Sequence, residues 1–452
     1  MKKLSVMLGD TGVEVGTLHF DVQGSRQSSA FIYSQAWRSN PQAFALSPTM
    51  PLSQENYFST REGKTPAFPL PIADSCPDSW GERVIKRSLR STGHTGRLTD
   101  YDMLVNVDDY ARIGALRYRD EAGSYLAEPI IREGGLRAPP LLDLKDLARA
   151  ARATELDRET AAEIALLRHP AGSLGGARPK ATIRDEDNNR LLIAKFTGAR
   201  EGKPTERAEV MTLRLAGSLG LRASKAEIAA FSPDEPIALI ERFDRSKNNT
   251  RHHYISAQSF MGAASAEGSH TYTEIADAMR TYADNPRREM NELFKRVAYS
   301  ILVSNGDDHL KNHGFLYCRD GRWNLSPMFD VNPDPERSAY DFFLKTWISE
   351  ASGDEASIAA LIEASDRFEI PRDQATTLIG QMAHDIKNRW QSFARDSGMT
   401  PDQIRSYRPA FDHNQSELAL SLTNKTVSLS NNSTYKKEDD DELDDEGPSF
   451  SP

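Results

Sequence analysis

The spacing of apolar residues changes once along this chain, and that change limits the folds open to it. Up to about residue 245, short alternating and β-branched runs recur between turn residues: LSVML, GVEVGTLHFDV and SAFIYS before Leu46, then RIGALRYRD (112–120), RLLIAKF (190–196), KAEIAAF (225–231) and PIALIERF (236–243). From Ser269 the long runs repeat at helical spacing instead, as in REMNELFKRVAYSILVS and DQATTLIGQMAHDIKNRWQSFA. Helices also punctuate the first part, in PDSWGERVIKRSL with a start signal at Asp78, LTDYDMLVNV, LDLKDLARAARATE, DRETAAEIALLRH and ERAEVMTLRLAGSL, the last closed by Gly220. Strands gathered ahead of helices predict an α+β fold in two lobes, strand-rich first and mainly helical second. The first strands, from Lys3 to Leu46, read as a small antiparallel unit of their own.

A chain of 452 residues accommodates two or three packed units. The Gly- and Pro-rich stretch GGLRAPP (134–140) marks the first boundary, giving units at 1–135, 136–245 and 246–422. After Leu422 apolar periodicity fades into a solvated, disordered acidic tail, 423–452, which lacks the apolar surface to offset its ordering entropy. The net charge is −10, and Lys436 to Pro452 carries −6 of it through eight carboxylates and two lysines. The body is therefore close to balanced, which argues against strong chain-wide attraction to nucleic acid phosphates. Two cysteines, Cys76 and Cys318, are too few for a disulfide framework and lack zinc-site spacing, so a reducing cytoplasm fits best. The apolar run Leu4 to Leu8 is too short for a signal peptide, and no stretch approaches eighteen apolar residues, so no membrane association is expected.

The chemistry concentrates in SNGDDHLKNHGFLYC (304–318), polar between an apolar helix and a strand. Asp307 and Asn312 have the Asp-x-x-x-x-Asn spacing of a kinase catalytic loop, in which the carboxylate orients or deprotonates a hydroxyl and the amide reaches a metal. The same residue types also fill ordinary turns. Asp330, in NLSPMFDVNP, stands where a second hard oxygen ligand for magnesium could come from, or where a turn or cap would use an Asp. Upstream, AGSLGGARPKATI (171–183) is a Gly-rich turn that matches neither standard phosphate-loop motif and reads equally as a hairpin. Lys195, in an apolar strand, asks for an anion, since a buried ammonium without a partner is costly. Glu209 is one candidate partner, with Glu206 and Glu201 as competitors. ALIERFDR (238–245) can connect two lobes and offer backbone to an adenine edge with Phe243 against its face, or form an ion-pair cluster at a strand end.

Taken in order, GSLGGARPK, Lys195 in IAKF, ERFDR, the D-x-H-x-K-N of Asp307, His309, Lys311 and Asn312, and FDVNP with Asp330 resemble the HipA-like serine/threonine kinases, toxins of bacterial toxin–antitoxin pairs. VGTLHFD, FALSPTMPL, PDSWGERVIKR and IGALRYR extend the resemblance over roughly residues 1–420. It implies a two-lobed protein-kinase-like fold with an extra N-terminal subdomain, using ATP and Mg2+ to phosphorylate a protein. Carried over, Asp307 is the catalytic base, and Asn312 and Asp330 are metal ligands. Gly175, Gly176, Ala177, Arg178, Pro179 and Lys180 form the nucleotide loop, Lys195 contacts phosphate, and Glu241, Arg242 and Phe243 contact adenine. His309 stands where typical protein kinases have Lys, which leaves Lys311 to take over charge neutralisation. Ser173 matches the family's inactivating autophosphorylation site. The implied partners are a HipB-like helix-turn-helix antitoxin, operator DNA through that antitoxin, and an aminoacyl-tRNA synthetase substrate, notably glutamyl-tRNA synthetase, whose block produces growth arrest and persistence. Two competing readings are a small-molecule phosphotransferase of the aminoglycoside or choline kinase kind and a catalytically idle corepressor.

Deleting Lys436 to Pro452 is expected to leave the melting temperature unchanged, because that segment offers little to a core. A drop of several degrees in a thermal melt would show that it docks.

Overall fold

The computed structural model describes residues 1–426, except 11, 129–136, 172–175, 200–201, 231–234, 247 and 337–341. Ser173, Gly175, Glu201, residues 134–136 of the 134–140 stretch and the acidic tail from 427 onward lie outside the described residues.

The early strands build one antiparallel sheet from β1 (Lys2–Leu8), β2 (Val13–Gln23), β3 (Arg26–Tyr33), β4 (Tyr57–Thr60) and β5 (Leu116–Arg119), in the order β4-β3-β2-β1-β5. Leu4, Val6, Leu18, Phe20, Phe31 and Tyr118 share its core, as alternating strands with one buried face require. A second antiparallel sheet contains β6 (Lys180–Asp185), β7 (Arg190–Phe196), β8 (Ala226–Ala230) and β9 (Pro236–Glu241), in the order β6-β7-β9-β8. Helices Leu144–Glu155 and Ala161–Ala171 join its core through Leu147 and Leu167. Trp80 and Val84, from helix Ser79–Ser91, enter that same core, and the Trp80 indole N–H donates to the Lys180 carbonyl at 3.0 Å.

The second half is mainly helical around the small sheet β10 (Tyr254–Ser256), β11 (Gly314–Arg319) and β12 (Arg322–Leu325). Its central helix, Pro286–Leu302, starts with proline at its first position and an Asn285 side-chain cap. Beyond Met290 the helix is buried on most faces, and its two buried charges, Glu292 and Arg296, pair with each other at 2.9 Å. Arg372–Asp396 packs against helix Thr205–Ser218 of the first lobe, and the last helix, Asn414–Thr426, runs past Leu422. Among the described residues, no helix is long and apolar enough to cross a membrane.

Buried charge fastens the N-terminal sheet to the second one. Asp244, just past β9, accepts from both Arg242 (2.8 Å) and Arg245 and from the Gly114 amide at 2.7 Å. Arg242 also donates to the Ala111 carbonyl at 2.6 Å, Arg245 to the Arg112 carbonyl at 2.7 Å, and Arg251 to the Asp109 carbonyl at 2.6 Å. Arg242, Asp244 and Arg245 of ERFDR thus close a buried clasp on the loop before β5, while Glu241 joins a partly exposed ion-pair cluster with Arg190 and Lys225 at the strand end. Burial alone would push the Asp244 carboxyl up, but Arg242 and then Arg245 outweigh it and hold it well below the usual range. Asp244→Ala should cost about 3–5 kcal/mol of unfolding free energy, since it strands two buried guanidiniums. A urea titration showing less than about 1 kcal/mol would contradict this.

Candidate active site

One cleft of about 1250 Å³ opens where the second sheet, the helical lobe and the N-terminal unit meet. The described residues expected in the nucleotide turn, the adenine strip, the catalytic base and the metal site line it together with Lys195, His309 and Lys311, except Pro179, whose carbonyl instead accepts from the Phe196 amide at 2.9 Å.

At its base Lys195, on β7, places its Nζ 2.5 Å from Glu209 Oε1 and 2.8 Å from Asp330 Oδ1. Glu209 comes from helix Thr205–Ser218 and is the partner of Lys195 rather than Glu206, which accepts from Thr197 Oγ1 at 3.1 Å, while Glu201 lies outside the described residues. Burial would lower the Lys195 ammonium, but Asp330 and Glu209 outweigh it and raise it. Conversely, burial would raise Asp330, while Lys195 and then Lys180 hold it far below the usual carboxylate range. The carboxylate is thus a fixed anion. Its backbone has φ +57°, a left-handed conformation that costs energy outside glycine but that Asp tolerates better than most residues. Asn332 steadies it, donating Nδ2 to Asp330 Oδ1 at 3.1 Å while its amide donates to Asn305 Oδ1 at 3.0 Å.

The glycine turn meets this cluster from above. Gly176 has φ +91°, a backbone conformation that demands glycine, and the Lys180 ammonium lies close beside it. Burial, then the neighbouring Lys195 charge, brings Lys180 down to about 8. Arg178 reaches Asn332 Oδ1 at 3.5 Å. The Gly176 amide donates to Asp78 Oδ2 at 3.0 Å, and its carbonyl accepts from the Trp80 amide at 3.2 Å. Asp78 was expected to start a helix, and it does stand at the N-cap, but its side chain makes no cap bond. Its carboxylate instead bridges the glycine turn and the catalytic loop, since Lys311 Nζ sits 3.0 Å from Asp78 Oδ1. Burial would lower Lys311, yet Asp78 and Asp74 outweigh it and raise it.

Asp307 is 63% exposed to the cleft and pairs with Lys345 Nζ at 2.7 Å. Asn312 donates its Nδ2 to the Asp307 carbonyl, which leaves the Asn312 amide oxygen without a partner among the described residues. His309 lines the cleft with its Nδ1 buried and unpartnered among the described residues. Of the strip expected at an adenine, Glu241 and Arg242 have spent their amides on the Lys225 and Leu191 carbonyls, at 2.9 and 3.0 Å. Their side chains are engaged too, Glu241 with Arg190 at 3.3 Å and Arg242 with Asp244. Phe243 keeps its amide unpaired among the described residues, and its ring lies 5.4 Å from that of Phe329.

Sequence reasoning missed three residues here. Lys345 and Asp78 are single charges far from the motifs they serve, without local signal. Asp308 carried one, the doubled Asp of NGDDH. Its carboxylate is buried, accepts from the Tyr272 hydroxyl and from the Lys345 amide at 3.0 Å, while Thr346 Oγ1 donates to its carbonyl at 2.7 Å.

A strand-rich and a helical lobe meeting at a Lys–Glu pair, a loop carrying Asp307 and Asn312, and Asp330 beyond the next two strands define a two-lobed, kinase-like α+β protein. Comparison with known proteins narrows this. Residues 4–119 match the family model of the HipA N-terminal domain, and residues 172–390 match that of the HipA-like C-terminal domain. The chain belongs to the HipA-like family. In structure it is similar to the HipA of Shewanella oneidensis MR-1, solved with HipB and its operator DNA, with a TM-score of 0.66 and 16% identity over 94% of this chain and 100% of that one. In sequence it is 28% identical over 143 residues to a protein of Haemophilus influenzae provisionally named a kinase, covering 28% of this chain and 42% of that protein. A Sinorhizobium fredii protein, Y4mE, also provisionally named a kinase, is 26% identical over 148 residues, covering 31% of this chain and 33% of that one. The chain thus spans less than half the length of either curated relative.

Burial raises Asp308 from 3.8 to about 7. Between these values the unfolded chain releases a proton that the folded protein keeps, so the stability present at low pH is lost as pH rises toward 7, at up to about 1.4 kcal/mol per pH unit. Asp308→Asn should flatten the fall of melting temperature between pH 5 and 7. An unchanged slope would mean that Asp308 is ionised in the fold.

Proposed function

We propose that this chain is an ATP- and magnesium-dependent serine/threonine protein kinase that acts as the toxin of a toxin–antitoxin pair. The observation that carries this reading is the convergence of Lys195, Asp307, Asn312 and Asp330 on one cleft. Asp307, exposed to the cleft, takes the proton of the acceptor hydroxyl. Lys195, raised and fixed by Glu209, is a permanent cation for nucleotide phosphate. Phe243 offers its free amide and its ring to the adenine, and the turn from Gly175 to Lys180 covers the phosphates.

The residues fit a magnesium ion: the Asn312 amide oxygen is uncommitted, and the Asp330 carboxylate is held anionic. Bound there, the ion would neutralise charge on the transferring phosphoryl group.

Three further elements rest on the family. The HipA of S. oneidensis was solved with HipB and operator DNA, which supports a small DNA-binding antitoxin as partner and DNA contact through it. The acceptor is taken to be an aminoacyl-tRNA synthetase, glutamyl-tRNA synthetase first, and phosphorylation of Ser173 between molecules would switch the kinase off by placing about −1.5 to −2 charge beside the nucleotide phosphates. The units 1–135, 136–245 and 246–422 then serve as N-terminal subdomain, nucleotide-binding lobe and catalytic lobe.

Incubation with γ-labelled ATP and a bacterial lysate tests the reading and should give a labelled protein band. Asp307→Asn should reduce labelling by about two to four orders of magnitude with ATP affinity retained. Asp330→Ala should instead weaken nucleotide binding only when magnesium is present. Near-normal labelling by the first variant would remove the base assignment, and a magnesium titration unaltered in the second would remove the ligand assignment.

A further inference from the structure

Resting on the kinase reading of this cleft, we propose that Lys345 is a further catalytic residue, the cation that neutralises the transferring phosphoryl group beside Asp307. A base that removes a hydroxyl proton next to a phosphoryl group works against accumulating negative charge, and a positioned ammonium there stabilises the transition state. Typical protein kinases carry that cation two residues after the base, where this chain has His309. Lys311 was the expected substitute, but its ammonium is tied to Asp78 at 3.0 Å. Lys195 is likewise tied, between Glu209 and Asp330.

The ammonium that contacts Asp307 is that of Lys345, 2.7 Å from Oδ1, with Glu267 more distant at 3.9 Å. Its reach is set by its main chain. The Lys345 amide donates to the buried Asp308 carboxylate at 3.0 Å, and Thr346 Oγ1 donates to the Asp308 carbonyl at 2.7 Å. Residues 345 and 346 are thereby bolted to the catalytic loop, which is more than a surface ion pair needs. Lys345 is also 39% exposed and lines the cleft, so a ligand can reach it.

The transfer then runs with its charges accounted for. The acceptor oxygen bonds to the γ-phosphorus while the bond from that phosphorus to the β,γ-bridging oxygen breaks, its electron pair leaving with ADP. The hydroxyl proton passes to the Asp307 carboxylate through Oδ2, because Oδ1 faces Lys345. Lys345 donates to a γ-phosphoryl oxygen as charge builds and exchanges no proton.

The test compares full-length wild type, Lys345→Met, Lys345→Gln and Lys345→Arg, reading label transfer from γ-labelled ATP to lysate protein over a range of ATP concentrations. Affinity for a fluorescent ATP analogue and thermal melting are measured on the same samples. The neutral variants should lose about 10²- to 10³-fold in the rate at saturating ATP. Their KM for ATP, analogue affinity and melting temperature should stay near wild type, and Lys345→Arg should recover at least about tenfold. Neutral variants within about threefold of wild type, a loss confined to KM, or an Arg variant no better than Met would each overturn the proposal. If wild type labels protein and Asp307→Asn does not, those results defeat Lys345 alone. A wild type that binds the analogue but labels nothing defeats the kinase reading, and the Lys345 proposal with it.

Discussion

Everything in the cleft is arranged around a buried ammonium that has to be paid for. Lys195 sits in a strand whose neighbours are apolar, where an isolated charge would be costly, and it is held by Glu209 from a helix of its own lobe and Asp330 from a loop of the other. The pairing fixes three things together: the height of that helix over the second sheet, the left-handed turn at Asp330, and the approach of the two lobes. One ionic contact therefore does structural and chemical work at once. The same Asp330 oxygen that balances Lys195 belongs to the carboxylate offered to a ligand in the cleft.

The N-terminal unit is part of this arrangement. Its Asp78 carboxylate takes a backbone amide from the glycine turn and an ammonium from the catalytic loop, so one residue of that unit spans both lobes. Trp80, two residues on, holds the turn's carbonyl and fills the second sheet's core. On the far side, Arg242, Arg245 and Arg251 grip the carbonyls of residues 109–112. Two separate attachments of this kind resist rocking in a way that one would not, so the opening of the cleft is coupled to the N-terminal unit.

The two-lobed order, most strands and the long helices were legible in the sequence because they follow from local periodicity, which needs no knowledge of partners. Lys195, Asp307, Asn312 and Asp330 were legible for a different reason: their spacing resembles a known family. The rest depended on contacts between residues far apart in the chain. Asp78 looked like a helix cap because its neighbours form a helix, and nothing nearby showed that its carboxylate would be claimed by Gly176 and Lys311. ERFDR offered adenine contact or a surface cluster, whereas its arginines are consumed by carbonyls more than a hundred residues away. Nothing near Lys311 in the sequence showed that its ammonium would meet Asp78, more than two hundred residues away.

Adjacent carboxylates in the catalytic loop show how far environment outweighs residue type. Asp307 is open to the cleft and meets an ammonium, while Asp308 turns inward, where burial brings it to about 7. The two neighbours thus differ in surroundings rather than in residue type, one exposed and the other buried. The anchor holds the main chain of Lys345 and Thr346, and Lys345 in turn meets Asp307. The two carboxylates are thus coupled through a third segment although their side chains face apart. Besides the peptide bond that joins them, Asp308 and Asp307 are therefore linked through Lys345, whose amide meets one carboxylate and whose ammonium meets the other.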